Sequence, residues 1–398
     1  MREHSRATSM RKGLKRSLTA LAAVTILGLP LTIVPSTSLA ATSPSAGSSW
    51  SILKTQNVGP FANVFNAADA LSPSDVWAVG CTNDTNANCH TLIEHWNGTA
   101  WSVVPSPDEP GAVITELFGV SGTSSTDVWA VGDFTLPDQS GGPFVLHWNG
   151  TVWSQVNTPA NTPGFFAVSA IAPDDAWAVG TNLAEHWDGH TWSTTTVPII
   201  QVETVLQGVT ALSATNVWAV GDFLDNKFNA HAVIMHWNGK SWSGIQSPDR
   251  GPTSQLFSVS AVSANDIWAV GEGATPLTVH WNGTSWTEVP VPKIPNVPVS
   301  AFYGVAAVSS SDVWAVGTAV VPGGPIGITT QALAEQWNGS KWTVSVTPNG
   351  GFFASGFGNL PGIEGGAVTA TATTVFAVGS EEPTEFSQPQ TLAESHPA

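Results

Sequence analysis

The chain of 398 residues is short of charge. Asp, Glu, Lys and Arg make up 10% of it, where soluble domains carry about 25%. What charge there is leans one way: 12 basic residues face 29 acidic ones, for a net charge of −17. Nucleic-acid binding needs a basic face, so that class is excluded. Tyrosine occurs once, as Tyr303, and cysteine twice. There is no Gly-x-y period and no apolar heptad, which excludes collagen-like and coiled-coil chains. Beyond residue 40 no apolar run reaches the length of a membrane-spanning helix. Catalytic signatures are missing too: no nucleophile elbow, no zinc-protease helix motif and no phosphate-binding loop occurs. What is abundant points to a folded β protein. Hydrophobic residues make up 42%, with 19 Trp and 16 Phe, which rules out intrinsic disorder, and 38 Gly and 28 Pro punctuate the chain.

Residues 1–40 have the order of an export signal. Arg2, Arg6, Arg11, Lys12, Lys15 and Arg16 form a basic start, an apolar stretch runs from Leu18 to Val34 with Pro30 inside it, and small residues precede Ala41. Cleavage there is expected, with an uncleaved anchor as the alternative. The remainder, 41–398, reads as one domain with Arg250 as its only arginine. The expected location is secreted, with attachment to the cell envelope left open. In an exported chain, Cys81 and Cys89 read as a short-loop disulfide, a two-Cys metal site being the alternative.

The tryptophans reveal a repeat. Asp75-Val76-Trp77-Ala78-Val79-Gly80 recurs with its Trp at Trp129, Trp177, Trp218, Trp268 and Trp314, and a seventh copy carries Phe376 instead. A second motif, His95-Trp96-Asn97-Gly98 followed by Trp101, recurs as the pairs Trp148/Trp153, Trp187/Trp192, Trp237/Trp242, Trp281/Trp286 and Trp337/Trp342. With Trp50, every Trp is accounted for. The period is about 50 residues, the size of a propeller blade. Each unit reads as four strands: an alternating first strand such as 166–171, a second ending at Gly80 or its equivalents, a third ending at Trp96, and a fourth starting at Trp101. The Asn-Gly pair between the last two predicts a tight hairpin, since both residues tolerate positive φ. The last unit stops after its third strand, and residues 47–52 match the start of a fourth. The fold expected is all-β: a seven-bladed β-propeller of four-stranded blades, its ring closed by the N-terminal strand.

These units resemble those of secreted bacterial β-propellers of the Asp-box and kelch-like kind. Gly189-His190-Thr191-Trp192 is similar to the second half of an Asp-box, although Trp187 stands where an Asp-box has its Asp. The resemblance therefore speaks to the fold. It also frames two exclusions. A sialidase-like site would need an arginine cluster and a Tyr nucleophile, and a kelch-type copper-radical oxidase would need a Tyr–Cys crosslink and a second Tyr. Arg250 and Tyr303 alone supply neither.

Residues repeated once per unit read as scaffold. Asp75, Asp127, Asp175, Asp266 and Asp312, with Asn216, are expected to bond turn backbone. His95, His147, His186, His236 and His280 are spread around the ring, too far apart to share a metal. Glu94, Glu185, Glu335 and Glu394 occupy one repeat position and are read as structural. Function is expected where the units differ. The second-to-third-strand loops vary, from seven residues between Gly180 and Trp187 to 20 between Gly317 and Trp337, and variable loops on a rigid scaffold are where recognition resides. On that face, eleven residues before each second-strand Trp, stand Asn66, Phe118, Phe166, Gln207, Phe257, Tyr303 and Gly365. Just past the glycines stand Asp133, Asp222 and Glu272. The aromatics can simply wedge between blades and the acids can simply be solvated. The functional reading is a mouth for a sugar or peptide, with Ca²⁺ on the three acids. The function expected is a monomeric binding module for a glycan or protein at the cell surface. A glycoside hydrolase or lyase using carboxylates on that face is the alternative.

Overall fold

The computed structural model describes residues 50–159, 164–248, 253–294, 297, 299–322, 328–345, 367–381 and 390–398. The expected export signal at 1–40, Arg250 and Gly365 lie outside the described residues. All regular structure among those described is β-strand. The first strands of the sequence units run Asn63–Ser72, Ile114–Ser124, Phe165–Ala172, Glu203–Ser213, Gln255–Ser263, Val299–Ser309 and Ala367–Ala370. The second strands run Asp75–Asn83, Asp127–Thr135, Asp175–Gly180, Asn216–Leu224, Asp266–Glu272, Asp312–Pro322 and Thr374–Glu381. The third run Cys89–Trp96, Gly141–Trp148, Leu183–Trp187, Ala230–Trp237, Leu277–Trp281, Ile328–Trp337 and Gln390–Pro397. Six units add a short fourth strand, beginning at Trp101, Trp153, Trp192, Trp242, Trp286 and Trp342.

These strands form five antiparallel sheets of four strands and one sheet of eight. The larger sheet holds the first two sequence units, joined by a single parallel bridge between Cys89 and Ile114. In the last unit, Ser51–Leu53 takes the outer position against Gln390–Pro397, with Ser51 opposite Ser395.

Tryptophan ties each sheet to the next. Trp77 is buried, and its ring meets Trp148 and Trp153 of the following unit at 5.2 and 5.4 Å, tilted on the first and edge-on to the second. Trp129, Trp177, Trp218 and Trp268 repeat both contacts one unit further on. Trp314 meets Trp50 and His396 instead, at 5.4 and 4.6 Å, so residues from the two ends of the chain complete that contact. A second tie links the first strands. Asp69 accepts the N–H of Gly122, Ser121 that of Ala170, Ser169 that of Ala211 and Ser260 that of Ala307. Thr369 of the last unit accepts the N–H of Ala70 in the first, at 3.0 Å.

The repeated polar residues have partners that the sequence reading assigned differently. The turn carboxylates bond the third-strand histidines and not the turn backbone: His95 Nε2 lies 2.8 Å from Asp75, and His186 and His280 make the same contact with Asp175 and Asp266. The turn N–H groups go to the preceding serines, as Ser74 N does to Ser72 Oγ. Serine's short arm reaches the turn from within it, which leaves the carboxylate for the neighbouring strand. The Asn-Gly hairpins also differ from expectation. Each is a four-residue loop closed by a Trp–Trp pair such as Trp96 opposite Trp101. Only the glycine takes positive φ there, 90° at Gly98. Asn97 stays out of that region because its Oδ1 accepts the N–H groups of Thr99 and Ala100, both at 3.0 Å.

The shared glutamate position is buried. Glu94, Glu185 and Glu335 are fully enclosed, and burial pushes their carboxyl groups up to about 7, 7 and 8. Glu394 holds the position in the seventh unit, and Leu146, Met235 and Val279 hold it in the second, fourth and fifth. Glu94 alone of the three receives backbone donors, the Gln56 N–H reaching both its oxygens at 3.1 Å. Gln56 lies six residues after Trp50; at that spacing every other unit has a proline, from Pro107 to Pro348, which has no N–H to give.

Two outcomes follow. Trp50→Ala removes the ring that meets Trp314 and His396 and costs about 3–5 kcal/mol, seen as a lowered melting temperature; an unchanged melt would contradict this packing. A carboxyl group whose folded pKa is raised binds its proton more tightly in the native state. Stability is therefore highest below the unfolded value near 4.5 and falls as pH rises to about 8. Glu335→Met, copying Met235, raises the melting temperature at pH 8 and loses that gain at pH 4.

Candidate functional site

The six candidate residues that lie among the described ones share one structural origin. In the first strands of six units the register skips a residue. Phe65 faces Gly80 and Ala67 faces Val79, leaving Asn66 as the extra residue of a β-bulge. Phe118, Phe166, Gln207, Phe257 and Tyr303 are the extra residues of the equivalent bulges. A bulge re-aims the side chain it carries, and the glycine opposite makes room for it. A Cβ on Gly132 would overlap the Glu116 carbonyl oxygen, and one on Gly221 that of Val205. The repeated glycine thus serves the non-repeated residue beside it.

The bulge side chains are half-buried and meet across sheets. Phe118 and Phe166 lie 5.9 Å apart, and Phe257 and Tyr303 lie 5.3 Å apart. Asn66 donates through Nδ2 to Glu116 and to the Leu117 carbonyl, both at 2.9 Å. Gln207 donates to Asp222 at 3.1 Å.

The three acids proposed for Ca²⁺ do not have their ligand atoms all within 4.8 Å of one another. Asp133, Asp222 and Glu272 stand at the same place in the second strands of three different sheets. Burial raises both Asp222 and Glu272 to about 7; for Asp222 the negative charges of Glu203 and Glu272 add to it, against the Gln207 bond. Glu203 is raised by burial as well. Among the described residues the set that brings three ligand atoms within 4.8 Å is Cys81, Cys89 and Glu116. The two sulfurs there are joined in a disulfide, as expected, with their Cα atoms 5.8 Å apart. Glu116 and Glu203 were not singled out from the sequence. Strand alternation carries the signal for Glu116, since it lies two residues from Phe118 and so shares its face.

The variable loops are built to one plan in two units. Asp84 accepts the N–H groups of Asn86 and Asn88 and the Asn88 side chain. Asp225 does the same with Lys227 and Asn229. The Asn229 donors hold the Asp225 carboxyl well below the usual range. His90 is clamped between Asp108 at 2.7 Å and Asp84 at 3.3 Å, and the Asp108 bond raises its pKa.

No protein-family model matches the chain, and no curated protein matches it. Solved structures do. The chain is similar to YCF48 bound to D1 peptide, at 14% identity over 87% of this chain and 94% of that one, with a TM-score of 0.53. It is similar to the extracellular domain of BT4673 from B. thetaiotaomicron, at 12% identity over 87% of this chain and 40% of that one, with a TM-score of 0.51. A protein of unknown function from Dyadobacter fermentans matches over 89% of this chain and all of its own, at 11% identity and a TM-score of 0.50. The likeness is one of fold. With the repeated four-stranded sheets, it makes the protein a β-propeller.

Asp222 is ionised less readily in the folded chain than in the unfolded one, so its contribution to stability falls as pH rises from about 4 to about 7. Asp222→Asn keeps a partner for Gln207 and removes the buried charge. It flattens that part of the melting profile, and a profile that keeps its slope would place the charge elsewhere.

Proposed function

We propose that the protein is an exported, non-enzymatic β-propeller of seven blades that binds a glycan or a protein through its variable-loop face. The ring closes when Ser51–Leu53 supplies the outer strand of the seventh blade. Support for closure comes from three contacts that join the chain ends: the strand pairing, the Thr369–Ala70 bond and the Trp50–Trp314 stack. The disulfide and the acidic balance agree with export.

The observation that carries the binding reading is the set of bulges. Each repeats in position and differs in side chain, so one scaffold presents Asn66, Phe118, Phe166, Gln207, Phe257 and Tyr303 beside loops of unequal length. Half-buried aromatics with amide and carboxylate partners make a surface suited to sugars or peptides. YCF48, in its peptide-bound structure, gives this fold a peptide-binding precedent.

A second reading rests on Asp222 and Glu272. Carboxyl groups raised to about 7 hold a proton near neutrality, as a general acid in glycoside cleavage must. A screen of polysaccharides, cell-wall fragments and peptides, run beside a product assay, separates the two. Binding without turnover is expected, and Tyr303→Ala with Gln207→Ala weakens it at least about tenfold, a loss of about 1.4 kcal/mol. Turnover that disappears in Asp222→Asn or Glu272→Gln would replace binding with catalysis. Ca²⁺ on Asp133, Asp222 and Glu272 is read by titrating the ion against melting temperature; an unmoved melt at millimolar ion removes it.

A further inference from the structure

One rim of the variable-loop face exposes apolar side chains on backbone held in an unfavourable conformation. Phe228 is 72% exposed, Ile199 60% and Val202 45%. Hydrogen bonds join the two segments that carry them: Val202 N to the Leu224 carbonyl at 3.3 Å and Asn226 N to Gln201 Oε1 at 3.2 Å. Phe228 and Gln201 both have positive φ, 63° and 56°. For a side chain as bulky as Phe this conformation is unfavourable and persists only where the surroundings impose it.

Here the surroundings are a rigid loop. Asp225 N bonds the Asn229 carbonyl and Phe228 N the Asp225 carbonyl, while the Asp225 side chain caps Lys227 and Asn229. The loop of the first unit has the same bonds, and Ala87 holds the apex with φ of 61°. A third apex, Gln139, has φ of 70°. The apex conformation is thus independent of the side chain, and among these three described apices that of the fourth unit lifts an aromatic into water. Beside it the third unit turns at once, its second strand ending at Gly180 and its third starting at Leu183, whereas the fourth unit's strands continue to Leu224 and from Ala230. A low step therefore adjoins the exposed apolar cluster.

Charge narrows the occupant. Glu203 follows Val202 and faces Leu224, and Asp225 anchors the loop with His231 Nε2 at 3.4 Å; Lys227 is the lysine of the group. The whole chain carries −17. Anionic surfaces and acidic partners are repelled, and a segment combining apolar residues with Lys or Arg is attracted.

We propose that Ile199, Val202 and Phe228 form a docking site for a basic, apolar peptide segment of a partner protein. Phe228 is its anchor, and Glu203 and Asp225 face the partner's cations. The inference rests on the binding reading above and adds a contact for a peptide segment at the rim, beside the bulge residues.

The test uses the full chain and three fluorescent dodecapeptides in which Leu alternates in pairs with Lys, Glu or Ser, followed by anisotropy. The Lys peptide is expected to bind at least about tenfold tighter than the Glu peptide. Phe228→Ala, which copies Ala87 on the same loop and leaves the melting temperature unchanged or raised, is expected to weaken it at least about tenfold, as is Ile199→Ser. Val152→Ser, at an exposed hairpin of the second unit away from this rim, is expected to leave it unchanged. Equal affinity for the Lys and Glu peptides overturns the charge argument. Affinity retained in Phe228→Ala and Ile199→Ser overturns the site. Loss in Tyr303→Ala with Phe228→Ala unaffected moves the peptide to the bulge belt, which keeps the binding function and ends the rim proposal. Co-sedimentation with phosphatidylcholine vesicles that depends on Phe228 makes the rim a membrane contact and likewise overturns it.

Discussion

The tryptophan contact between neighbouring sheets is what the remaining structure leans on. From Trp77 to Trp268, each second-strand indole lies between its own third-strand His and two indoles of the following unit, edge-on to one of them, as Trp129 does with His147, Trp187 and Trp192. Edge-to-face and tilted geometries suit rings whose faces are electron-rich and whose edges are not. Burying about 150 Å² of such a ring at about 25 cal/mol/Å² is worth roughly 4 kcal/mol at most. A chain with so few charges has little else to hold sheets face to face. Burial of Trp at one point per unit gives every interface the same spacing, and the Asp69, Ser121, Ser169, Ser260 and Thr369 bonds between first strands follow from that spacing.

Scaffold and candidate site are coupled through the glycine three residues after each second-strand Trp. That glycine accepts the bulge opposite, and the bulge turns one side chain away from the core. The same device recurs in six units with Asn, Phe, Gln or Tyr at its tip. The loops beyond follow suit: an identical hydrogen-bonded frame carries Ala87 in one unit and Phe228 in another. Repetition supplies rigidity, and substitution at fixed points supplies whatever is specific. The buried glutamates follow the opposite rule. They repeat in position without a shared partner, since Gln56 donates to Glu94 where prolines elsewhere have nothing to offer.

Much of this was legible in residue order. The Trp register marks the units, and the eleven-residue offset to Asn66, Phe118 and their equivalents locates the bulge residues before any bulge is known; the glycines, expected at strand ends, lie inside every second strand but Asp175–Gly180. Local reasoning went astray where a side chain had a choice of partners. Asp75 could have bonded its own turn, and only the approach of His95 from the third strand decided otherwise. Asn97 tolerates positive φ, yet bonding Thr99 and Ala100 with its side chain left that role to Gly98. Glu116 and Glu203 stood out by no repeat and no motif, because their significance lies in which strand passes beside them.

The order of residues alone determined the all-β class, the four-strand unit and the positions where units differ. Those depend on periodicity, turn chemistry and apolar spacing, which act over a few residues. Tertiary structure decided which groups meet. Glu335 is encased while Asp84 is solvated, Asp222 lies near Glu203 and Glu272, and Phe228 stands in water beside Ile199 and Val202. The reason is that burial and charge coupling depend on distance through space, and segments tens to hundreds of residues apart are brought within reach only when the sheets pack.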